Sequence, residues 1–233
     1  MSERDPTPRE ALARVPLFAG LAPAELDALT TAVVSRRYPR GGVIMLQGEE
    51  GNGLCIIGSG LVKIVLTGAD GREQLINVYG PAEFFGEFAL LDGEPRSADA
   101  IAQEDCLIYW LHRDRFQSFL ANHPMAAISL LAILSRRLRH TTRLLESKAF
   151  QDVPTRVAGT ILQLAASRGR PTGSGIIIDA QLTQSELASM VGANRETVNR
   201  CVRDFQRRGL LTWERSQITI NDQRRLRNIA DGA

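Results

Sequence analysis

Residues 182–220 read LTQSELASMVGANRETVNRCVRDFQRRGLLTWERSQITI. Thr183 and Glu186 have the Thr-x-x-Glu spacing with which a helix start caps itself, the hydroxyl taking one orphan N–H and the carboxylate reaching back to another. Gly192 breaks that helix after two turns. Asn194 suits the cap of a second helix that begins at Arg195 and ends near Gly209. Leu187, Val191, Val198, Val202 and Phe205 face a core, and Ala188 is small where the two helices must approach. The run LLTWERSQITI reads as a β-hairpin with its turn near Glu214-Arg215-Ser216. Helix, short turn, helix and hairpin predict a winged helix-turn-helix.

The second helix exposes Arg195, Glu196, Asn199, Arg200, Arg203 and Arg207 away from its apolar stripe. Arg matches the O6 and N7 acceptors of guanine, and Glu accepts from cytosine N4. Thr183 and Gln184, at the start of the first helix, suit backbone phosphates. For a lone helix this would be a solvated charged face, with Glu196 and Arg200 an ordinary i,i+4 pair. With turn, cap and hairpin in register, the module predicts binding to double-stranded DNA. The expected contacts are Thr183, Gln184, Asn194, Arg195, Glu196, Asn199, Arg200 and, in the hairpin, Arg215.

The chain of 233 residues is long enough for two modest domains. Its net charge of +2 is uneven: residues 150–233 hold 12 Arg against 8 acids, whereas residues 1–149 are net acidic. No apolar run approaches the length of a membrane span, and the polar start MSERDPTPRE lacks a secretory core, so a cytoplasmic protein without a membrane partner is expected. Cys55, Cys106 and Cys201 are odd in number and far apart, neither a disulfide framework nor a metal pair.

Upstream the texture differs. Residues 23–34 read as a helix, with Pro23 in its first turn and Leu26, Leu29 and Val33 on one face. From Tyr38 to Leu111, short β-branched runs (GVIML, LCIIGSG, LVKIVLTG, EQLINVYG, DCLIYWL) alternate with glycines, which predicts an antiparallel sandwich or barrel. Asp70-Gly71 is a hairpin signal. From Pro124 to Lys148 a long helix is predicted, with Ile128, Leu131, Leu138 and Leu145 on a 3-4 heptad seam that Ser135 and Thr142 interrupt. This is either a dimer helix with a polar task or one more helix packed on its own domain. Residues 154–167 read as a further helix, and SRGRPTGSG after it as a loop.

One short stretch inside the β-rich part gathers more chemistry than a turn needs: FGEFALLDGEPRSA, residues 85–98. Gly86 lets a backbone approach closely, a short helix opening there offers N–H groups and a positive dipole end, and Arg96 and Ser97 add a guanidinium and a hydroxyl. An internal Glu87–Arg96 salt bridge capping a turn is the structural alternative, one that burial would make costly.

In this order along the chain, the stretch resembles the phosphate-binding cassette of cyclic-nucleotide-binding domains. From about Val15 to Ile220 the sequence resembles the cyclic-AMP receptor branch of the family that also contains the fumarate-nitrate regulators, including RRLRHTT late in the long helix and RETVNR on the recognition helix. The resemblance implies an α+β protein: an N-terminal β-roll or jelly-roll sensor over residues 1–122, a dimerisation helix and hinge over 123–150, and a winged helix-turn-helix over 151–233. It implies a ligand site of Gly86, Glu87, Phe88, Arg96, Ser97 and Ala98, with Glu87 accepting from a ribose 2′-OH, joined by Arg137, Thr141 and Thr142 at base- and cassette-contacting positions. It further implies cyclic AMP or another cyclic nucleotide as effector, a homodimer, RNA polymerase as a partner, no enzyme activity, and a TGTGA-like inverted repeat as target. The fumarate-nitrate branch has an apolar residue where Arg195 stands.

Redox or gas sensing on the same scaffold is the competing expectation. No cysteine precedes Cys55 to hold an iron–sulfur cluster, and His112, His123 and His140 form no cluster suggestive of haem or metal. A regulator whose cassette binds nothing is a further alternative, against which the retained Glu87, Arg96 and Ser97 argue.

Overall fold

The computed structural model describes residues 5–68, 71–173, 175–179, 182–214 and 217–232. The chain divides into two compact units, Met1–Thr67 with Ile76–His140, and Gly68–Leu75 with Thr141–Ala233.

In chain order the elements are α1 (Pro8–Arg14), a 3-10 turn (Pro16–Phe18), α2 (Pro23–Thr31), β1 (Val33–Tyr38), β2 (Val43–Met45), β3 (Gly53–Ser59), β4 (Val62–Thr67), β5 (Glu73–Tyr79), β6 (Phe84–Phe85), α3 (Phe88–Asp92), β7 (Asp99–Ala102), β8 (Cys106–His112), α4 (Arg113–Asn122) and α5 (Pro124–Phe150). There follow α6 (Val153–Arg168), β9 (Gly169–Thr172), β10 (Gly175–Asp179), α7 (Gln184–Val191), α8 (Arg195–Arg207), β11 (Leu211–Glu214), β12 (Gln217–Ile220) and α9 (Gln223–Ala230).

The first unit is a β-roll of two antiparallel sheets, ordered β1-β8-β3-β6 and β2-β7-β4-β5. The β-branched and aromatic runs pack two layers at once, because successive strand residues face opposite sides. Ile44, Cys55, Ile57, Val62, Tyr79, Phe85 and Ile108 fill the space between the sheets. Leu54, Ile56, Tyr109 and Leu111 point the other way, against Leu12, Phe18, Leu26, Phe116, Phe119 and Leu130 of the helical layer.

The helix predicted over 23–34 stops at Thr31, and Val33 opens β1 instead. Val33 and Val34 are β-branched, and Val33 pairs with Leu111 across the sheet, so the strand register outweighs the helical spacing. The β-region thus begins at Val33, not Tyr38. The Asp70 half of the predicted hairpin turn lies outside the described residues.

In the second unit, α6 is capped by Asp152, whose carboxylate accepts from the Thr155 N–H at 2.9 Å, with Pro154 in the first turn where no donor is needed. The predicted loop after it is in fact strand β9, the outer strand of the sheet β11-β12-β10-β9. Pro171 lies within β9, a place an edge strand tolerates. The helical layer and this sheet close on Val157, Ile161, Ile178, Leu187, Val198, Phe205, Leu211, Ile218 and Leu226.

Candidate functional site: a nucleotide cassette and a DNA-reading helix

The cassette is assembled from β6, α3 and the loop into β7. Gly86 takes φ of +83°, and a Cβ there would stand 2.5 Å from Arg96 Nη1, so any side chain would strain the turn and push the guanidinium aside. Glu87 holds the N-cap position of α3 and Phe88 begins it, exposed. Arg96 threads back under this turn. Its Nη1 donates to the Gly86 carbonyl at 2.6 Å and its Nη2 to the Gly53 carbonyl at 2.7 Å. Among the described residues Arg96 makes no ion pair, although it is only 5% exposed. Burial depresses its pKa, with the neighbouring Glu87 charge acting in the opposite direction.

Glu87, 2% exposed, is instead paired with Arg137 of α5, whose Nη1 donates to its carboxylate at 2.5 Å. The Glu87–Arg96 bridge weighed from the sequence does not form. Arg137 Nη2 donates to the Phe84 carbonyl, and its guanidinium stacks 4.4 Å from the Tyr79 ring centre and 4.8 Å from that of Phe84. The buried carboxylate therefore has its countercharge in ion-pair contact, while the buried Arg96 donates to two backbone carbonyls and makes no ion pair among the described residues. That combination fits a ligand with one anionic phosphate and a hydroxyl beside it.

The structure brings Gly86, Glu87, Arg96 and Arg137 together. Ser97 is exposed and Ala98, the residue before β7, is half-buried. Thr141 and Thr142 lie on α5 about one turn beyond Arg137, both exposed. Residues not singled out in the sequence complete the support. Arg113 donates to the carbonyls of Gly51 and Ala89. Asp99, 8% exposed, accepts from the Gln47 N–H at 2.8 Å and the Thr67 hydroxyl at 2.6 Å. Neither shows as a motif, because each acts on groups distant in sequence. No group of three or more His, Cys, Asp or Glu placed to hold a metal occurs among the described residues. No single helix among them is long and apolar enough to cross a membrane.

In the second unit the capping box at Thr183 forms as its residues require: the Thr183 N–H donates to Glu186 at 2.7 Å and the Glu186 N–H to the Thr183 hydroxyl at 3.2 Å. Gly192 takes φ of +69° at the turn, and Asn194 accepts from the Thr197 N–H at 2.7 Å. Val198, Val202 and Phe205 are buried, which turns Glu196, Arg200, Arg203 and Arg207 outward along a groove of about 350 Å³, whereas Asn199, expected to be exposed, is half-buried at its edge with its Oδ1 enclosed. Arg195 is exposed at the helix start, Thr183 is exposed and Gln184 half-buried at the start of α7. The β11–β12 hairpin pairs Leu211 with Ile220 and Glu214 with Gln217; Arg215, expected to touch DNA, lies outside the described residues.

A buried, anion-ready cassette in a β-roll and an arginine-lined second helix in a winged helix-turn-helix define a DNA-binding regulator that binds a cyclic nucleotide. The cyclic nucleotide-binding domain family matches residues 35–123, and the Crp-like helix-turn-helix domain family matches residues 155–229. The CRP-like cAMP-activated global transcriptional regulator of Mycobacterium tuberculosis is 40% identical over 217 residues, 93% of this chain and 97% of that protein. The cyclic AMP receptor protein of Thermus thermophilus is 35% identical over the same shares. Among solved structures, the c-di-GMP responsive global regulator CLP of Xanthomonas campestris superposes with a TM-score of 0.77 at 25% identity, covering 85% of this chain and 99% of that one. The chain belongs to the CRP/FNR family of transcription regulators.

Proposed function

We propose that the chain is a homodimeric regulator switched by cyclic AMP, which reads a TGTGA-like inverted repeat. The observation that carries the ligand is Arg96: a guanidinium 5% exposed, bonded only to neutral carbonyls. Gly86, Glu87, Phe88, Ser97 and Ala98 build the cassette around it, and Arg137, Thr141 and Thr142 serve the ribose and base side. The adenine effector is supported by the relatives from Mycobacterium tuberculosis and Thermus thermophilus, whose names state cyclic AMP.

In this reading residues 1–122 sense, 123–150 dimerise and 151–233 bind DNA. Ile128, Leu131, Leu138 and Leu145 of α5 are each more than half exposed in the single chain, an apolar seam that a second copy would cover. Nucleotide binding shifts a two-state equilibrium at the hinge between Phe150, the last residue of α5, and Pro154. The two recognition helices are then set about 34 Å apart, one DNA turn. Thr183, Gln184, Asn194 and Arg215 meet phosphates; Arg195, Glu196, Asn199 and Arg200 meet bases. The protein acts in the cytoplasm by binding rather than catalysis, and hands its signal to RNA polymerase.

Calorimetry with cyclic AMP, cyclic GMP and c-di-GMP, beside DNA binding with and without each, tests the reading. Saturable cyclic AMP binding that Arg96→Leu weakens by about 1.5–3 kcal/mol or more is expected. Unchanged affinity in that variant defeats the cassette assignment, and a response to c-di-GMP alone transfers the effector to the class named for the Xanthomonas regulator.

A further inference from the structure

Of the 28 basic residues, only Lys63 and Lys148 are lysines. Lys63 of β4 is half-buried and has an interaction partner. Lys148 stands exposed in the last turn of α5 and makes no hydrogen bond or ion pair among the described residues. A helix C-terminus favours a cation at that place. Its surroundings work against one. Arg156 of α6 donates to the Gln151 carbonyl at 3.1 Å, and the Gln151 N–H donates to the Ser147 carbonyl at 3.0 Å, so a guanidinium is folded back beside the end of α5. Desolvation first, then the charges of Arg156 and Arg72, hold the Lys148 ammonium below the usual lysine value.

The Lys148 side chain lies on the turn of the helix-turn-helix. Gly192, at φ of +69°, ends α7 two residues before the Asn194 cap of α8. A Cβ added to Gly192 would stand 2.6 Å from Lys148 Cε and would also meet Gln74 Oε1. Lys148, Arg156, Gly192, Arg72 and Gln74 all belong to the second unit. The carbon that carries the amine is therefore packed on the backbone that sets where α8 and its outward arginines begin. Any group added to Nζ has to find space beside that turn.

We propose that Lys148 is an acylation site and that its modification by an activated acyl group weakens DNA binding. A lysine without a countercharge, beside a second cation, has its neutral and nucleophilic form raised in population. The neutral Nζ attacks the acyl carbonyl carbon and the C–N bond forms. The bond from that carbon to the leaving phosphate or thiolate breaks, and the proton shed by nitrogen passes to water. A neutral amide then replaces the ammonium. The charge is lost, and the added acyl group crowds Gly192 and displaces the turn that positions α8. The inference uses the DNA-binding module alone and is independent of which nucleotide the cassette takes.

The experiment treats the full chain with acetyl phosphate and, separately, with acetyl-coenzyme A, and follows acetyl-lysine by mass spectrometry over time. A synthetic peptide of residues 141–155 is treated in the same way. Lys148 should acetylate severalfold faster than Lys63 and faster than the same lysine in the peptide, and the faster donor names the source. No acetylation of Lys148 with either donor, or a rate below that of the peptide, overturns the inference. DNA affinity is then read, with cyclic AMP present, on a TGTGA inverted-repeat duplex and on a mixed-sequence duplex, so that a wrong target site does not obscure the comparison. Treated wild type should bind severalfold more weakly than untreated wild type. Lys148→Arg, which keeps the charge and lacks the amine, should bind alike before and after treatment. No loss in wild type, or an equal loss in Lys148→Arg, overturns the inference and leaves the cassette and the DNA-reading helix as described.

Discussion

Arg137 donates to the Glu87 carboxylate at 2.5 Å across fifty residues of sequence, while Arg96, nine residues from Glu87, donates to two backbone carbonyls. The two arginines thereby divide the electrostatics of one pocket. Arg137 neutralises the carboxylate that would otherwise be buried alone, and Arg96, also buried, is held by backbone carbonyls without an ion pair among the described residues.

Breaking the first pair should damage the fold. Arg137→Leu leaves a carboxylate 2% exposed without its countercharge, at a cost of about 3 kcal/mol in urea unfolding. Replacing both members with apolar residues should recover much of that loss, since a filled apolar site carries no desolvation penalty. A single variant as stable as wild type contradicts the burial argument.

The Gly86 contact makes a sharper test of the cassette. A Cβ at Gly86 would meet Arg96 Nη1 at 2.5 Å, in a backbone conformation at φ of +83° that alanine resists. Gly86→Ala should cost about 1 kcal/mol of stability and weaken cyclic AMP binding by displacing the guanidinium. Calorimetry finding wild-type affinity in this variant would show that Arg96 does not set the phosphate position.

Thr142 interrupts the seam of α5 with a hydroxyl. An apolar replacement should not weaken a coiled coil, so Thr142→Ala is expected to change nucleotide dependence of DNA binding while the dimer persists. Sedimentation showing monomers with nucleotide affinity intact is the opposite outcome.

Base readout rests on the start of α8. Arg200→Ala should cost about 1–3 kcal/mol per half-site and relax preference at one guanine of a TGTGA site. Measured at fixed salt, equal affinity of wild type for all single-base variants would exclude direct readout by this helix.

His123 gives a pH dependence whose sign can be worked out. Its Nδ1 meets the Phe119 carbonyl at 2.8 Å and its Nε2 the Glu25 carboxylate at 3.1 Å. The Phe119 carbonyl first, then Glu25, raise its pKa above the ordinary 6.5. The protonated form is therefore favoured in the folded state. Its contribution is complete below about pH 6.5, the unfolded value, and is lost as pH rises through the higher folded value. Solvent reaches this pair, His123 half-buried and Glu25 exposed, which keeps the effect small. Melting temperature should fall more between pH 6 and 8, roughly the window of this titration, in wild type than in His123→Asn; parallel curves would remove His123 from the balance.

Much of the second unit was legible locally. The capping box at Thr183, the αL turn at Gly192 and the cap at Asn194 depend on residues within four positions of one another, so spacing alone reports them. The strand at Gly169–Thr172 was not legible. Its Gly and Pro content reads as a loop, and only pairing with β10 makes it a strand. Val33 reads as helical for the same reason, its partner Leu111 being far along the chain although it stands in the adjacent strand β8.

The sequence by itself determined which chemistry is present: a glycine, a carboxylate, a guanidinium and a hydroxyl within one short stretch, and two capped helices with arginines on the outer face. Only the tertiary structure decided which groups meet. Glu87 is matched to Arg137 and not to Arg96, Arg96 to the carbonyls of Gly86 and Gly53, and Arg137 to the rings of Tyr79 and Phe84. Helix caps are closed by neighbours along the chain, so the residue order specifies them. A buried charge is satisfied by whatever the strand register and helix packing bring within hydrogen-bond reach, and residues forty or fifty positions apart are brought there only when the whole β-roll closes.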